Sequence, residues 1–271
     1  HPSQKIRIPL SLMGKEIPEG TTAEKAAPSE TEISKEAEVS KKPEEVAEKI
    51  TPEMKRYLAD ADFLASTGYI TDYISKEGIK SIGKIAGSPS GRTLFGKEDI
   101  VFLSIGSPGD KFYIIRSNRI IVHPQTKVKM GHMVEVLGVA EVIGVQDGDI
   151  RAKITKSFLD IRLGDLLEAF YSIEPIIGDE SDRKPDVSGV IIATRALKKI
   201  NAFLDVVFID KGSKDGLETG DLLKAVIIDK KLMSKASGIV KIIGLKDATS
   251  AAIVLKSEFP MGPGDTVAGL K

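Results

Sequence analysis

From residue 69 onward the chain is built of short β-branched and aliphatic runs separated by Gly, Asp, Asn and Pro. They include Ile100 to Ile105, Phe112 to Ile115, Arg119 to Val122, Met133 to Val136, Val139 to Val145, Val187 to Ile192, Val206 to Ile209, Leu222 to Ile228, Ile239 to Leu245 and Ala251 to Leu255. Runs of this length, with no long helical period between them, predict antiparallel barrels or sandwiches. One stretch before them keeps a helical spacing instead: Met54, Tyr57, Leu58, Ala61 and Leu64. Thr51-Pro52-Glu53 supplies an N-cap, a proline at the first helical position and an acid at the positive helix end, and Gly68 can stop it. The expectation is one amphipathic helix over 51–68, packed on the first β unit.

The β pattern is used twice. Residues 138–167 match 238–267 at a constant offset of 100, with nine identities in thirty positions: Gly138, Ile143, Gly144, Asp147, Ala152, Lys156, Ser157, Gly164 and Asp165 recur in the second copy. Ordinary residue usage would give about two. At an offset of 106, Asp99 to Leu103 and Gly106-Ser107 answer to Asp205 to Ile209 and Gly212-Ser213. The two segments should therefore occupy equivalent strands of two related β units, over 69–171 and 186–271, with a polar hinge at 172–185. Gly-Asp before an apolar run occurs at Gly109-Asp110, Gly164-Asp165, Gly220-Asp221 and Gly264-Asp265. Glycine takes a positive φ and Asp bonds nearby backbone N–H groups, so these pairs read as turns into strands rather than as an acidic site.

Between Asp110 and Gly138 the first copy has eleven more residues than the second has between Asp221 and Gly238. The extra length holds Arg116-Ser117-Asn118-Arg119, expected as a hairpin tip, and His123-Pro124-Gln125-Thr126. An insertion in one copy is where a duplicated scaffold carries a specific contact. Arg116, Asn118, Arg119, His123 and Gln125 are accordingly the candidate partner-contact residues.

Composition narrows the function classes. Residues 17–50 hold nine Glu, five Lys, five Ala, three Pro and no aromatic, a composition that cannot offset its ordering entropy. That segment is expected to be a flexible linker and the first site of proteolysis. Basic and acidic residues balance at 39 each, which gives no electrostatic case for nucleic acid. There is no cysteine, and no run of residues is apolar enough to span a membrane as a helix.

Each motif that resembles a catalytic or binding site lacks a residue its chemistry needs. Gly91 to Lys97 has P-loop spacing, but Glu98 stands where Ser or Thr would hold magnesium. Pro89 occupies the serine position of a nucleophile elbow in Gly87 to Gly91. Asp210 to Gly216 carries lysines where a calcium loop needs oxygen ligands. The three histidines, His1, His123 and His132, fit no usual zinc spacing. No catalytic, cofactor-binding or metal-ligating residue is assigned.

His1-Pro2-Ser3-Gln4-Lys5-Ile6-Arg7-Ile8-Pro9 resembles the closing strand of a LysM domain, with Ser3 where that pattern usually has Gly. Together with the linker and the β repeat, and with phrases such as Gly138-Val139-Ala140-Glu141-Val142 and Asp215-Gly216-Leu217-Glu218-Thr219-Gly220-Asp221, the chain resembles bacterial LysM-domain envelope proteins with a β-rich C-terminal region. It is similar also to the C-terminal β domain of flagellar assembly protein T. The resemblance makes residues 1–16 a LysM remnant. It implies a periplasmic or cell-envelope location, a peptidoglycan anchor in the missing LysM portion and an envelope protein as partner, with no cofactor. The leading reading is a non-enzymatic envelope scaffold. The alternatives are an envelope glycan hydrolase with carboxylates in an inter-domain cleft, and an RNA- or protein-binding barrel.

Overall fold

The computed structural model describes residues 57–71, 79–177, 183–195, 201–228 and 234–270. The LysM-like remnant, the linker with its expected cleavage sites and the expected N-cap at Thr51 lie outside the described residues. The elements run β1 (Tyr57–Ala59), α1 (Ala61–Thr67), β2 (Tyr69–Ile70), β3 (Gly83–Gly87), β4 (Leu94–Phe95), β5 (Ile100–Leu103), β6 (Lys111–Val122), β7 (Lys129–Gln146), β8 (Asp149–Ser157), β9 (Ile161–Arg162) and β10 (Leu166–Ala169). They continue with β11 (Ile176–Ile177), β12 (Ser188–Thr194), β13 (Val206–Ile209), β14 (Leu222–Ile228), β15 (Ser234–Leu245), β16 (Ser250–Ser257) and β17 (Thr266–Gly269).

Both β units are closed six-stranded antiparallel barrels. The first runs β3-β5-β8-β7-β6-β10 and back to β3, with β2 added on β7; the second runs β12-β13-β16-β15-β14-β17 and back to β12. Strand for strand the circuits are the same, which settles the choice between barrel and sandwich. The repeat holds residue by residue. Gly138 pairs with Ser157, Val142 with Ala152 and Gly144 with Arg151, and the second barrel pairs Gly238 with Ser257, Ile242 with Ala252 and Gly244 with Ala251. Even the register breaks coincide, at 139/140 and 142/144 in one copy and 239/240 and 242/244 in the other.

Each barrel encloses its own apolar core. Ile85, Val101, Leu103, Ile114, Leu137, Ile154 and Leu167 fill the first, and Ile191, Val207, Ile209, Leu223, Val240, Ile242 and Val267 fill the second. A third cluster joins them: Ile70, Ile121 and Met133 pack with Ile192, Val206, Phe208, Ile243 and Ile253. This explains why β13 reads as an unbroken apolar run. Val207 and Ile209 face the barrel interior while Val206 and Phe208 face the other barrel, so all four are buried.

The helix is shorter than its spacing predicts. Asp60 is the N-cap of α1, accepting from the Phe63 amide at 2.7 Å, and Tyr57 to Ala59 form a strand on Ile176–Ile177. The expected hinge thus contains a strand, and Arg183, also inside it, is bound to the second barrel. Gly68 does stop the helix, at φ +73°.

The four Gly-Asp pairs at 109/110, 164/165, 220/221 and 264/265 are turns. Gly109, Gly164, Gly220 and Gly264 have φ of +92°, +88°, +97° and +106°, and each following Asp accepts from the amide three residues earlier at 2.6–2.8 Å. Each barrel has a third turn of this design that the glycine signal does not mark. Asp99 and Asp205 accept from the Gly96 and Ala202 amides, and the residues before them, Glu98 and Leu204, hold positive φ without being glycine.

One turn acid is strained electrostatically. Burial pushes the Asp265 carboxyl above the usual carboxylate range, opposed by the Gly262 N–H, and no arginine pairs with it among the described residues. The folded pKa therefore exceeds the unfolded one. Its relative contribution to stability is fully present below the unfolded value of about 3.9 and is lost as pH rises through the folded value. Asp265→Asn, which keeps an oxygen for Gly262, should raise the melting temperature at pH 7 and leave it unchanged at pH 3; a loss at pH 7 contradicts this origin of the shift.

Candidate functional site

The insertion is not a hairpin with its tip at Arg116 to Arg119. The strand β6 continues through those residues and the turn comes at His123 to Val128. The register with β7 breaks between Ser117 and Arg119, which accommodates the polar residues without ending the ladder. The extra residues of the first copy thus lengthen two paired strands beyond the barrel wall.

Those strands do two things. Their far end grips the second barrel. His123, 5% exposed, lies with Nε2 3.1 Å from the Asp210 carboxylate, while its Nδ1 accepts the amides of Gln125 and Thr126 at 3.2 and 3.1 Å. Two N–H groups aimed at Nδ1 place the ring proton on Nε2, so the imidazole donates to Asp210. Asp210 in turn accepts from the Val190 amide at 2.5 Å, and the Gln125 side-chain amide donates to the Gly264 carbonyl at 3.2 Å. The Thr249 hydroxyl donates to the Ile70 carbonyl at 3.2 Å and Arg195 to the Ser66 hydroxyl at 3.1 Å, so several polar ties surround the shared apolar cluster.

Nearer the barrel the same strands form one wall of a cavity of about 430 Å³, lined by Ile79, Ile115, Arg116, Ser117, Arg119, Ile120, His132 and the Gly164-Asp165-Leu166 turn. Arg116 holds that turn, with Nε and Nη2 donating to the two oxygens of Asp165 at 2.8 and 2.7 Å and Nη2 also to the Asp160 carbonyl at 3.1 Å. This fork raises the Arg116 guanidinium above its ordinary range. Ser117 Oγ lies 3.3 Å from His132 Nδ1.

Arg119 differs. Its Nη2 reaches the Thr194 carbonyl at 3.3 Å, but Nε and Nη1 are buried with no partner among the described residues. Burial lowers its pKa, with the Glu135 carboxylate acting the other way. Arg195 is shifted in the same direction for the same reason.

Of the residues expected to contact a partner, the structure therefore brings Arg116 and Arg119 to one cavity and places His123 and Gln125 on the second barrel of the same chain. The side chain of Asn118 lies outside the described residues. Sequence reading missed His132, Ser117 and Asp210. Alternation along β7 and the pairing of Ile120 with His132 carry His132 to the cavity, and Asp210 is 87 residues from His123, so neither carries a local signal.

A second cavity, about 210 Å³, lies between the barrels among Tyr69, Tyr171, Phe208, Ile243, Lys246 and Ser250. The Lys246 ammonium sits 3.9 Å from the Tyr69 ring centre, and the Tyr69 hydroxyl donates to Glu168 at 2.9 Å. Burial raises the Tyr69 hydroxyl far above the usual phenol range and pushes Tyr171 up to about 12. Among the described residues, no three His, Asp or Glu side chains gather as a metal-binding group, and no helix is long and apolar enough to cross a membrane.

No family model and no characterised protein matches the chain.

Proposed function

We propose that this chain is the rigid, partner-holding part of a non-enzymatic bacterial envelope protein. The observation that carries the proposal is the grip between the barrels. The insertion in the first copy, which lengthens β6 and β7, is used to hold the second barrel through His123 and Gln125 and to leave a walled cavity beside it. A duplicated pair fixed as one body, joined to a charged 34-residue segment at 17–50, suits a platform held at the end of a tether. The envelope location and the wall attachment come from the LysM resemblance. Attachment is assigned to a complete LysM domain, since a sugar groove needs that whole fold and residues 1–16 resemble only its last strand.

Sedimentation with insoluble peptidoglycan tests the division of labour. The chain as given should stay in the supernatant and release no soluble muropeptides. Pelleting would assign glycan binding to the barrels themselves. Release of muropeptides would make the protein a hydrolase.

A further inference from the structure

We infer that the face of the first barrel formed by Ile100, Phe102, Ile143 and Val145 is where two copies of this chain pair about a twofold axis. The inference goes beyond the platform reading, which concerns only how the two barrels of one chain are joined.

Ile143 and Ile243 are the same residue at the same place in the repeat, and each is the unpaired extra residue of a β-bulge. Val142 pairs with Ala152 and Gly144 with Arg151 in one barrel; Ile242 pairs with Ala252 and Gly244 with Ala251 in the other. A bulge re-aims a side chain. In the second barrel it aims Ile243 into the apolar cluster between the barrels, where it is 6% exposed, while in the first Ile143 stands 51% exposed. Its neighbours repeat the contrast. Val206 and Phe208 are buried in that cluster and their counterparts Ile100 and Phe102 are only half-buried; Leu245 lines the cavity between the barrels and its counterpart Val145 is 56% exposed. Single exposed aliphatics are ordinary, but these four occupy the positions with which the sister barrel meets its neighbour.

The face of the second barrel receives the lengthened ribbon of the first, through Ile70, Ile121 and Met133. In every copy that ribbon is already covered by the chain's own second barrel. Another copy therefore has no ribbon to offer, and identical chains cover the exposed face symmetrically by setting it against itself. The rim suits such a pairing. Arg151 and Lys153 stand where the second barrel has Ala251 and Ile253, and Asp147 and Asp149 lie at the adjoining hairpin tip. Arg151 bonds the neutral Gln146 side chain and makes no ion pair among the described residues. An apolar centre with a rim of both signs is the make-up of an interface that forms and separates; under a twofold, one copy's acids can meet the other's cations, where a rim of one sign would repel. Phe102, Arg151, Asp147 and Asp149 also border a depression of about 310 Å³, room for a side chain of the other copy.

Sedimentation equilibrium of the whole chain should show the mass of one chain at about 1 µM rising toward that of two by about 1 mM, the range of a weak non-obligate interface. Ile143→Glu puts a carboxylate at the centre of the face and should weaken association at least tenfold, with a melting temperature within about 2 °C of the parent's because the position is exposed. Val128→Glu, at a position 57% exposed on the far end of the ribbon, should leave association unchanged. Since the chain has no cysteine, Val145→Cys supplies one thiol per chain, and a short bis-maleimide should join two such chains but not two Val128→Cys chains. The mass of one chain across the whole range, association that survives Ile143→Glu, an equal loss from Val128→Glu, or chains that associate without cross-linking at Val145 would each overturn the inference. None of these outcomes bears on peptidoglycan sedimentation, so the two proposals fail separately.

Discussion

Gly238→Ala should cost about 3 kcal/mol in urea unfolding, and Gly138→Ala a similar amount, at the upper end of what overpacking produces. A Cβ on Gly238 would sit 2.0 Å from the Lys256 carbonyl oxygen and 2.7 Å from Met261 Cε; on Gly138 it would sit 2.2 Å from the Lys156 oxygen and 3.0 Å from Ile161 Cδ1. Neither glycine has a positive φ, so the whole cost is steric. The obstruction is backbone, and only separation of β15 from β16, or of β7 from β8, would relieve it. The other repeated pair is the control. A Cβ on Gly144 meets nothing within 4 Å and one on Gly244 meets only Ala251 Cβ at 3.7 Å, so Gly144→Ala and Gly244→Ala should stay within about 0.5 kcal/mol of the parent. Four equal effects would mean that close approach is not why the repeat keeps Gly138 and Gly238.

The second large effect concerns Arg183. Asp221, whose side chain is 1% exposed, accepts from Arg183 Nε at 2.6 Å, Arg183 Nη2 at 2.9 Å and the Glu218 amide at 2.8 Å. Arg183→Met leaves a buried carboxylate with one partner of the three and should lower stability at neutral pH by more than the loss of an exposed ion pair does. Adding Asp221→Asn should recover part of that loss, because the amide oxygen still serves Glu218 and the charge is gone. Arg92→Met should cost less than about 1 kcal/mol, since its ion pair with Asp99 is exposed at 59% on the arginine side. Equal losses from Arg183→Met and Arg92→Met would show that burial does not set the strength of these pairs.

The arginine forks show what was legible in the chain and what was not. The Gly-Asp turns were readable because glycine and Asp carry the turn chemistry themselves. The clamps on them were not: Arg116 lies 49 residues from Asp165, and Arg183 lies 38 from Asp221 in what reads as a hinge. The clamps also fall on non-equivalent turns of the two barrels, so the repeat could not transfer one to the other. Likewise the turns at Asp99 and Asp205 went unseen because Glu98 and Leu204 take the conformation that glycine usually signals.

Strand identity was well marked and strand extent was not. Phe112 to Ile115 and Arg119 to Val122 are one strand, and Met133 to Val136 and Val139 to Val145 are another, because a bulge interrupts alternation without ending pairing. Helical spacing from Met54 to Leu64 was a poorer guide. Asp60 supplies an N-cap, and pairing with Ile176–Ile177 holds Tyr57 to Ala59 extended. For the site, the insertion marked the right segment, but its residues divide between a cavity and an intramolecular grip, a division made by partners far along the chain.

That the two barrels form one body is the claim on which the platform reading depends. The absence of cysteine allows Asp149→Cys and Lys256→Cys, one exposed position on each barrel, to carry the only two spin labels in the chain. Electron-spin distance measurement should give a single narrow distribution in the parent and a broadened one when His123→Ala and Gln125→Ala remove the grip. A broad distribution in the parent, unchanged by those substitutions, would contradict it.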